Sequence, residues 1–141
     1  MASRWDREIE IAVEAVRQAS RVCRGVQQKL VTAATLEKKD KSPVTVADFA
    51  SQAVVCARLA QAFPNVPVIA EEDAHELRQD DHAAVRDVVA GHAAAAVGEA
   101  ATPDQVLRWI DHGGAGKDLK TSPQRFWTLD PIDGTKGFLR G

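Results

Sequence analysis

Residues 126–135 read FWTLDPIDGT. Phe126 to Leu129 is a short apolar and β-leaning run, so it predicts a strand. Pro131 lacks an N–H and halts a sheet ladder just beyond it. Asp133-Gly134 is a strong turn former. The strand therefore delivers Asp130 to its C-terminal end, and the turn can fold Asp133 back toward it. Gly134 permits close approach of a ligand to the backbone. Successive N–H groups at such a turn favour a phosphate.

A second stretch ends the same way. PVIA, residues 67–70, is an apolar run between breakers and predicts another strand. It runs straight into Glu71, Glu72 and Asp73. Hard divalent cations such as Mg²⁺ take oxygen ligands in octahedral array, and two acidic strand ends would supply them. Taken singly, each motif has an ordinary reading. Asp-Pro and Asp-Gly are common turn dipeptides, and Glu-Glu-Asp is a common solvated loop. The four histidines show no i, i+4 pairing, and neither cysteine belongs to a zinc-like pattern.

Working outward, Trp5, Ile9, Ala12, Val16, Ala19, Cys23, Val26 and Leu30 step by threes and fours. That spacing predicts one face of a long helix from Ser3 to Thr32; Ile11, Ala15 and Val22 widen the stripe, so the helix should pack on two sides. EKKDKSP, residues 37–43, breaks it, and the residue before Pro43 should be extended. Thr45 and Asp48 fit a capping box opening a second helix. Its buried face would be Phe49, Ala53, Cys56, Ala60 and Phe63, and Pro64-Asn65 would end it. A helical stretch from Asp80 to about Val97 should be interrupted at Gly91. Thr102-Pro103 is a good start for a helix through Ile110. HGGAGKD, residues 112–118, reads as a flexible loop.

The chain has 141 residues, enough for one domain with a core, and shows no repeats or interdomain linker. Its net charge of −2 offers no bulk attraction for nucleic acid or an anionic membrane. No apolar stretch reaches the roughly 20 residues needed to span a bilayer. The N-terminus lacks a signal-peptide core, and Cys23 and Cys56 read as buried thiols. The expectation is a cytoplasmic protein that binds neither nucleic acid nor membrane.

Three motifs in order extend this reading: KSPVTVAD at 41–48, Glu71-Glu72, and DPIDGTKGFLRG at 130–141. Together they resemble the inositol monophosphatase-like superfamily of lithium-sensitive, magnesium-dependent phosphatases. The KGFLRG ending is most similar to its 3'(2'),5'-bisphosphate nucleotidases. The resemblance covers the whole chain but only the N-terminal part of the family's fold. It implies an α+β fold of layered helices with a mixed or antiparallel sheet. Residues 1–141 would be a single N-terminal portion of that domain, with the C-terminal part absent. One departure is local, because Ala70 precedes the acidic pair where the family commonly has glycine.

Carried across, the resemblance implies that Glu71, Asp130 and the Ile132 carbonyl hold one Mg²⁺. Asp130 would bridge to a second ion, with Asp133 as its other ligand from this portion. Asp48 and Thr135 would orient and help deprotonate the attacking water, and the Gly134 and Thr135 amides would cradle phosphate. The implied reaction is hydrolysis of the 3'-phosphate of adenosine 3',5'-bisphosphate to AMP and phosphate. The chain alone, missing a further ligand from the second half, would have little activity. A non-catalytic product binding a full-length relative, and an inositol or fructose phosphate phosphatase, are the alternatives. An open sheet edge would promote self-association.

Overall fold

A computed structural model describes residues 2–32, 42–119, 122–133 and 138, with the backbone alone for 30–32, 42–45 and 118. The element order is α1 (Asp6–Thr32), α2 (Ser42–Ala62), β1 (Val68–Ala70), α3 (Ala83–Val97), α4 (Pro103–Asp111), α5 (Ala115–Asp118) and β2 (Trp127–Leu129). Two single 3₁₀ turns, Glu76–Arg78 and Asp80–His82, lead into α3. The α+β class expected from the sequence is present. None of the described helices is long and apolar enough to cross a membrane.

Helix α2 is the centre of the molecule. It packs against α1, α3 and α4. Phe49, Ala53, Cys56 and the following Phe63 are buried as expected, but so are Val46, Ala47, Ala50, Val54, Val55 and Leu59. A helix buried all round sits between layers, not on a surface. It opens at Ser42, so Pro43 occupies the first turn, where a missing N–H costs nothing. Thr45 therefore lies inside the helix instead of capping it, and the extended backbone expected before Pro43 gives way to helix at Ser42.

Helix α1 departs from the expected stripe. Ile11, Ala15, Val22 and Val26 are buried, whereas Trp5, Ile9 and Val16 are exposed. The helix carries apolar residues on two sides, and α2 covers the side led by Ile11 and Ala15. Glu14 and Arg58 tie the two helices at 2.8 Å. The exposed side flanks an apolar groove of about 430 Å³ lined by Trp5, Ile9, Ala12, Phe63, Phe126 and Trp127. Arg125 closes on Glu8 at 2.8 Å beside it.

The remaining helices follow their local signals. The Thr102 side chain accepts from the Gln105 N–H at 3.2 Å, capping α4 above Pro103. Helix α3 runs through Gly91 without interruption and stops at Gly98, whose φ of +77° is the left-handed conformation glycine tolerates. The expected flexible loop at 112–118 is ordered. Gly114 bridges Ile69, and α5 forms directly after it.

Strands β1 and β2 pair in parallel, with Val68 opposite Trp127, Ile69 opposite Thr128 and Ala70 opposite Leu129. The expected mixed or antiparallel sheet is not confirmed by the described residues. They form this parallel pair and a single antiparallel bridge, Ile69 to Gly114. Parallel strands need a long crossover, and α3 and α4 supply it. The Phe63 and Trp127 rings, 5.9 Å apart, seat β2 on the end of α2.

Ile110 is wholly buried and Ile9 is 56% exposed. Ile110→Ala should therefore cost about 2–5 kcal/mol by urea unfolding, and Ile9→Ala under about 0.5 kcal/mol.

Candidate functional site

The register fixes where the acids emerge. Ala70 and Leu129 are paired, so Glu71 and Asp130 are the next residues on neighbouring parallel strands. Both leave the sheet at the same C-terminal edge, which is where open parallel sheets present ligand sites. Ala70 causes no strain there. No non-glycine residue among those described has positive φ. Room for its methyl group comes from Gly113, where an added Cβ would lie 2.6 Å from the Ala70 Cβ.

Asp130 and Asp133 are exposed, while Pro131 and Ile132 between them are half-buried. The Ile132 side chain packs on the main core and anchors that turn from beneath. Downstream, the Gln27 side chain donates to the Phe138 carbonyl at 2.8 Å, and Phe138 packs on the same core. Gly134 and Thr135, expected to cradle phosphate and orient water, lie outside the described residues.

Asp48 reaches the same region from the second turn of α2. Its carboxyl is pushed up to about 7, first by burial and then by the charges of Glu72, Glu71 and Asp130. Burial, followed by Glu71, Asp73, Asp130 and Glu76, also raises Glu72. Acids far apart in the chain thus share one electrostatic environment. Asp133 is not among the charges acting on Asp48 or Glu72. No group of three or more His, Cys, Asp or Glu side chains among the described residues lies close enough to hold a metal ion. The acids are gathered at one edge, but a closed ligand set is not formed by these side-chain positions.

Neighbouring acids behave differently. Lys117 pairs with Asp73 at 2.7 Å and, with the His75 N–H, holds its carboxyl below the usual range. Arg78 pairs with Asp111 at 2.6 Å, and Asp111 also accepts from the Ala74 N–H at 3.1 Å. Among the described residues, Asp48, Glu71, Glu72 and Asp130 make no such ion pair. An open cleft of about 600 Å³ lies on the β1 side of this edge, lined by Phe49, Glu71, Glu72, Asp73, Arg78 and Lys117 among others but not by Asp48 or Asp130. The donors of these four side chains are all carboxylate oxygens, a set that fits Mg²⁺ in kind. Mutual repulsion among them is what a cation would relieve.

Sequence reading missed the part played by Glu72, because an acidic pair after a strand does not say which member turns inward. Asp111 and Lys117 were missed as well, since their pairing joins segments distant in the chain.

The family model for the inositol monophosphatase family matches residues 4–141. An Arabidopsis thaliana protein provisionally named a mitochondrial 3'(2'),5'-bisphosphate nucleotidase is 41% identical over 99% of this chain and 36% of its own length. A Schizosaccharomyces pombe 3'(2'),5'-bisphosphate nucleotidase is 40% identical over 97% of the chain and 41% of its length. A Candida albicans 3'(2'),5'-bisphosphate nucleotidase 2 is 38% identical over 97% and 40%. The chain thus spans about two fifths of the length of the curated relatives it matches.

The raised Asp48 carboxyl has a consequence for stability. Unfolded, the group titrates near its ordinary 3.8; folded, it holds its proton to about 7. Between those values the folded state binds more protons, so this group's contribution declines as pH rises. Asp48→Asn removes the decline. Urea midpoints of the metal-free chain should shift in favour of the variant between pH 4 and pH 8, relative to wild type. A gap that stays constant with pH would contradict the shared field.

Proposed function

The chain belongs to the inositol monophosphatase family, and from that membership we propose that it forms part of a magnesium-dependent 3'(2'),5'-bisphosphate nucleotidase. The substrate would be adenosine 3',5'-bisphosphate, and the products AMP and phosphate. One observation carries the reading: parallel pairing brings Glu71 and Asp130 to one edge, with Asp48 inside their field. The names of the relatives favour a nucleotide bisphosphate over the inositol and fructose phosphates of the wider superfamily.

In this reading Glu71, Asp130 and the Ile132 carbonyl would hold one Mg²⁺, and Asp130 and Asp133 would contribute to a second. Bound magnesium supplies Lewis acidity and a water of lowered pKa. The protein's own groups do the positioning. Glu71 and Asp130 follow adjacent strand ends, so the sheet fixes the spacing at which they would meet a cation. Asp48 stands close enough to feel the charges of Glu71 and Asp130, which places a carboxylate proton acceptor next to them. Its assigned role is to take up the proton of the attacking water through the Thr135 hydroxyl. The amides of Gly134 and Thr135 are assigned to the phosphate on the strength of the family resemblance.

Two smaller proposals accompany this one. A cytoplasmic location is favoured by the sequence, although one relative carries a mitochondrial name. Self-association is supported by the strip of exposed Trp5, Ile9, Val13 and Phe126, and by the β2 edge that no described strand pairs.

The test is phosphate release from adenosine 3',5'-bisphosphate. The assay compares the chain alone with the chain joined to the C-terminal segment of the S. pombe relative. The joined protein should release the 3'-phosphate only with Mg²⁺, and the chain alone should release little. Asp130→Asn should lower the rate by on the order of 100-fold or more, as expected for a lost ligand rather than one of its hydrogen-bond partners. Undiminished release by Asp130→Asn, or a preference for inositol monophosphate, would overturn the proposal.

A further inference from the structure

Gln52 is a polar side chain in the most buried stretch of α2, with no exposed surface at all. Every neighbour from Ala50 to Cys56 is buried too. An amide in such a place is costly unless its hydrogen bonds are made. Here they are made, and to a specific target. The Glu72 N–H donates to Gln52 Oε1 at 2.9 Å, and Gln52 Nε2 donates back to the Glu72 carbonyl at 2.7 Å. The same Nε2 donates to the Ile110 carbonyl at 2.9 Å.

Three segments meet on this one side chain: the middle of α2, the exit of β1 and the last turn of α4. Gln52 lies four residues after Asp48, so both project from the same face of α2. A second observation marks how closely the junction is built. A Cβ at Gly113 would stand 2.8 Å from Gln52 Nε2, so glycine is required where α4 leaves the helix. The Gly113 carbonyl then accepts from the Ala70 N–H at 2.8 Å, closing the ring back onto β1.

We propose that Gln52 is a positioning residue for the acidic edge: its buried amide clamps the Glu72 backbone to α2 and so sets the spacing between Asp48 and the carboxylates following β1. Without the clamp, Glu71 and Glu72 follow a backbone free to drift from α2, and the donors no longer converge. This inference rests on reading the edge as a cation site. Hydrogen-bond partners that orient ligands typically carry 10–100-fold in metal affinity.

The test uses the chain as it stands, with Gln52→Leu as a near-isosteric apolar replacement. Gln52→Asn is the fallback if Leu does not fold, since it keeps a neutral amide one methylene too short. Val89→Ala, a fully buried residue of α3 with no polar role, controls for general loss of stability. Two quantities are read: Mn²⁺ affinity by electron paramagnetic resonance, and hydrogen exchange at the Glu72 amide.

Either Gln52 variant should weaken Mn²⁺ binding by about 10–100-fold and speed Glu72 exchange by roughly tenfold or more, as expected when a protecting hydrogen bond is lost. Val89→Ala should leave the affinity of the folded chain unchanged. Mn²⁺ affinity within twofold of wild type, or unchanged Glu72 exchange, would overturn the inference while leaving the cation site standing. If wild type binds no Mn²⁺, it is the cation reading that fails, and the exchange comparison alone decides the clamp.

Discussion

The parallel pairing of β1 with β2 is the constraint on which the rest depends. Each strand is only three residues long, and neither has value alone. Set side by side with Ala70 opposite Leu129, they make two distant acidic segments leave the sheet at one edge. Had the pair run antiparallel, Glu71 and Asp130 would leave from opposite ends. The helical layers serve this pairing. Helix α2 lies at the centre and carries Asp48 toward the edge. Helices α3 and α4 make the crossover that parallel strands require, and the Gly113 carbonyl ties the end of α4 back to Ala70.

Electrostatics then separates structural acids from functional candidates. Asp73 and Asp111 have cations of their own, Lys117 and Arg78, and they stitch loops together. Asp48 and Glu72 are half-buried and repelled by neighbouring carboxylates, so both hold their protons more tightly than usual. Folding gains nothing from gathering like charges in this way. Such a cluster is the kind of local cost that proteins carry where chemistry is done. On the proposed reading that cost has a purpose, since a divalent ion would turn repulsion into shared ligation.

How much of this the sequence revealed varied with the kind of signal. The strand ends were legible because short apolar runs bounded by Pro, Asn and Asp leave few options. Thr102-Pro103 was legible because its capping chemistry is local. Strand direction was not, since two isolated runs carry no record of which way they pair. The face of α1 was misjudged because Trp5, Ile9 and Val16 form as good a stripe as Ile11, Ala15 and Val22, and only packing decides between them. The start of α2 was misplaced because Pro43 serves equally as a break and as a first-turn residue. In the site, Asp48, Glu71 and Asp130 were singled out by their motifs, and they share one electrostatic neighbourhood. The parts played by Glu72 and Gln52 were not legible, because a side chain that meets backbone 20 residues away leaves no periodic trace.

The most direct measurement is Mn²⁺-induced line broadening in an amide-resolved spectrum of the chain. The account predicts that amides of Asp48 and Phe49, of Glu71 to Asp73, and of Asp130, Ile132 and Asp133 broaden together at the lowest Mn²⁺ concentrations. Amides beside other acids, such as Glu8, Glu14 and Glu99, should stay sharp until much more is added. Broadening that begins at those surface acids, or reaches the two strand ends at different concentrations, would contradict convergence on a single cation site.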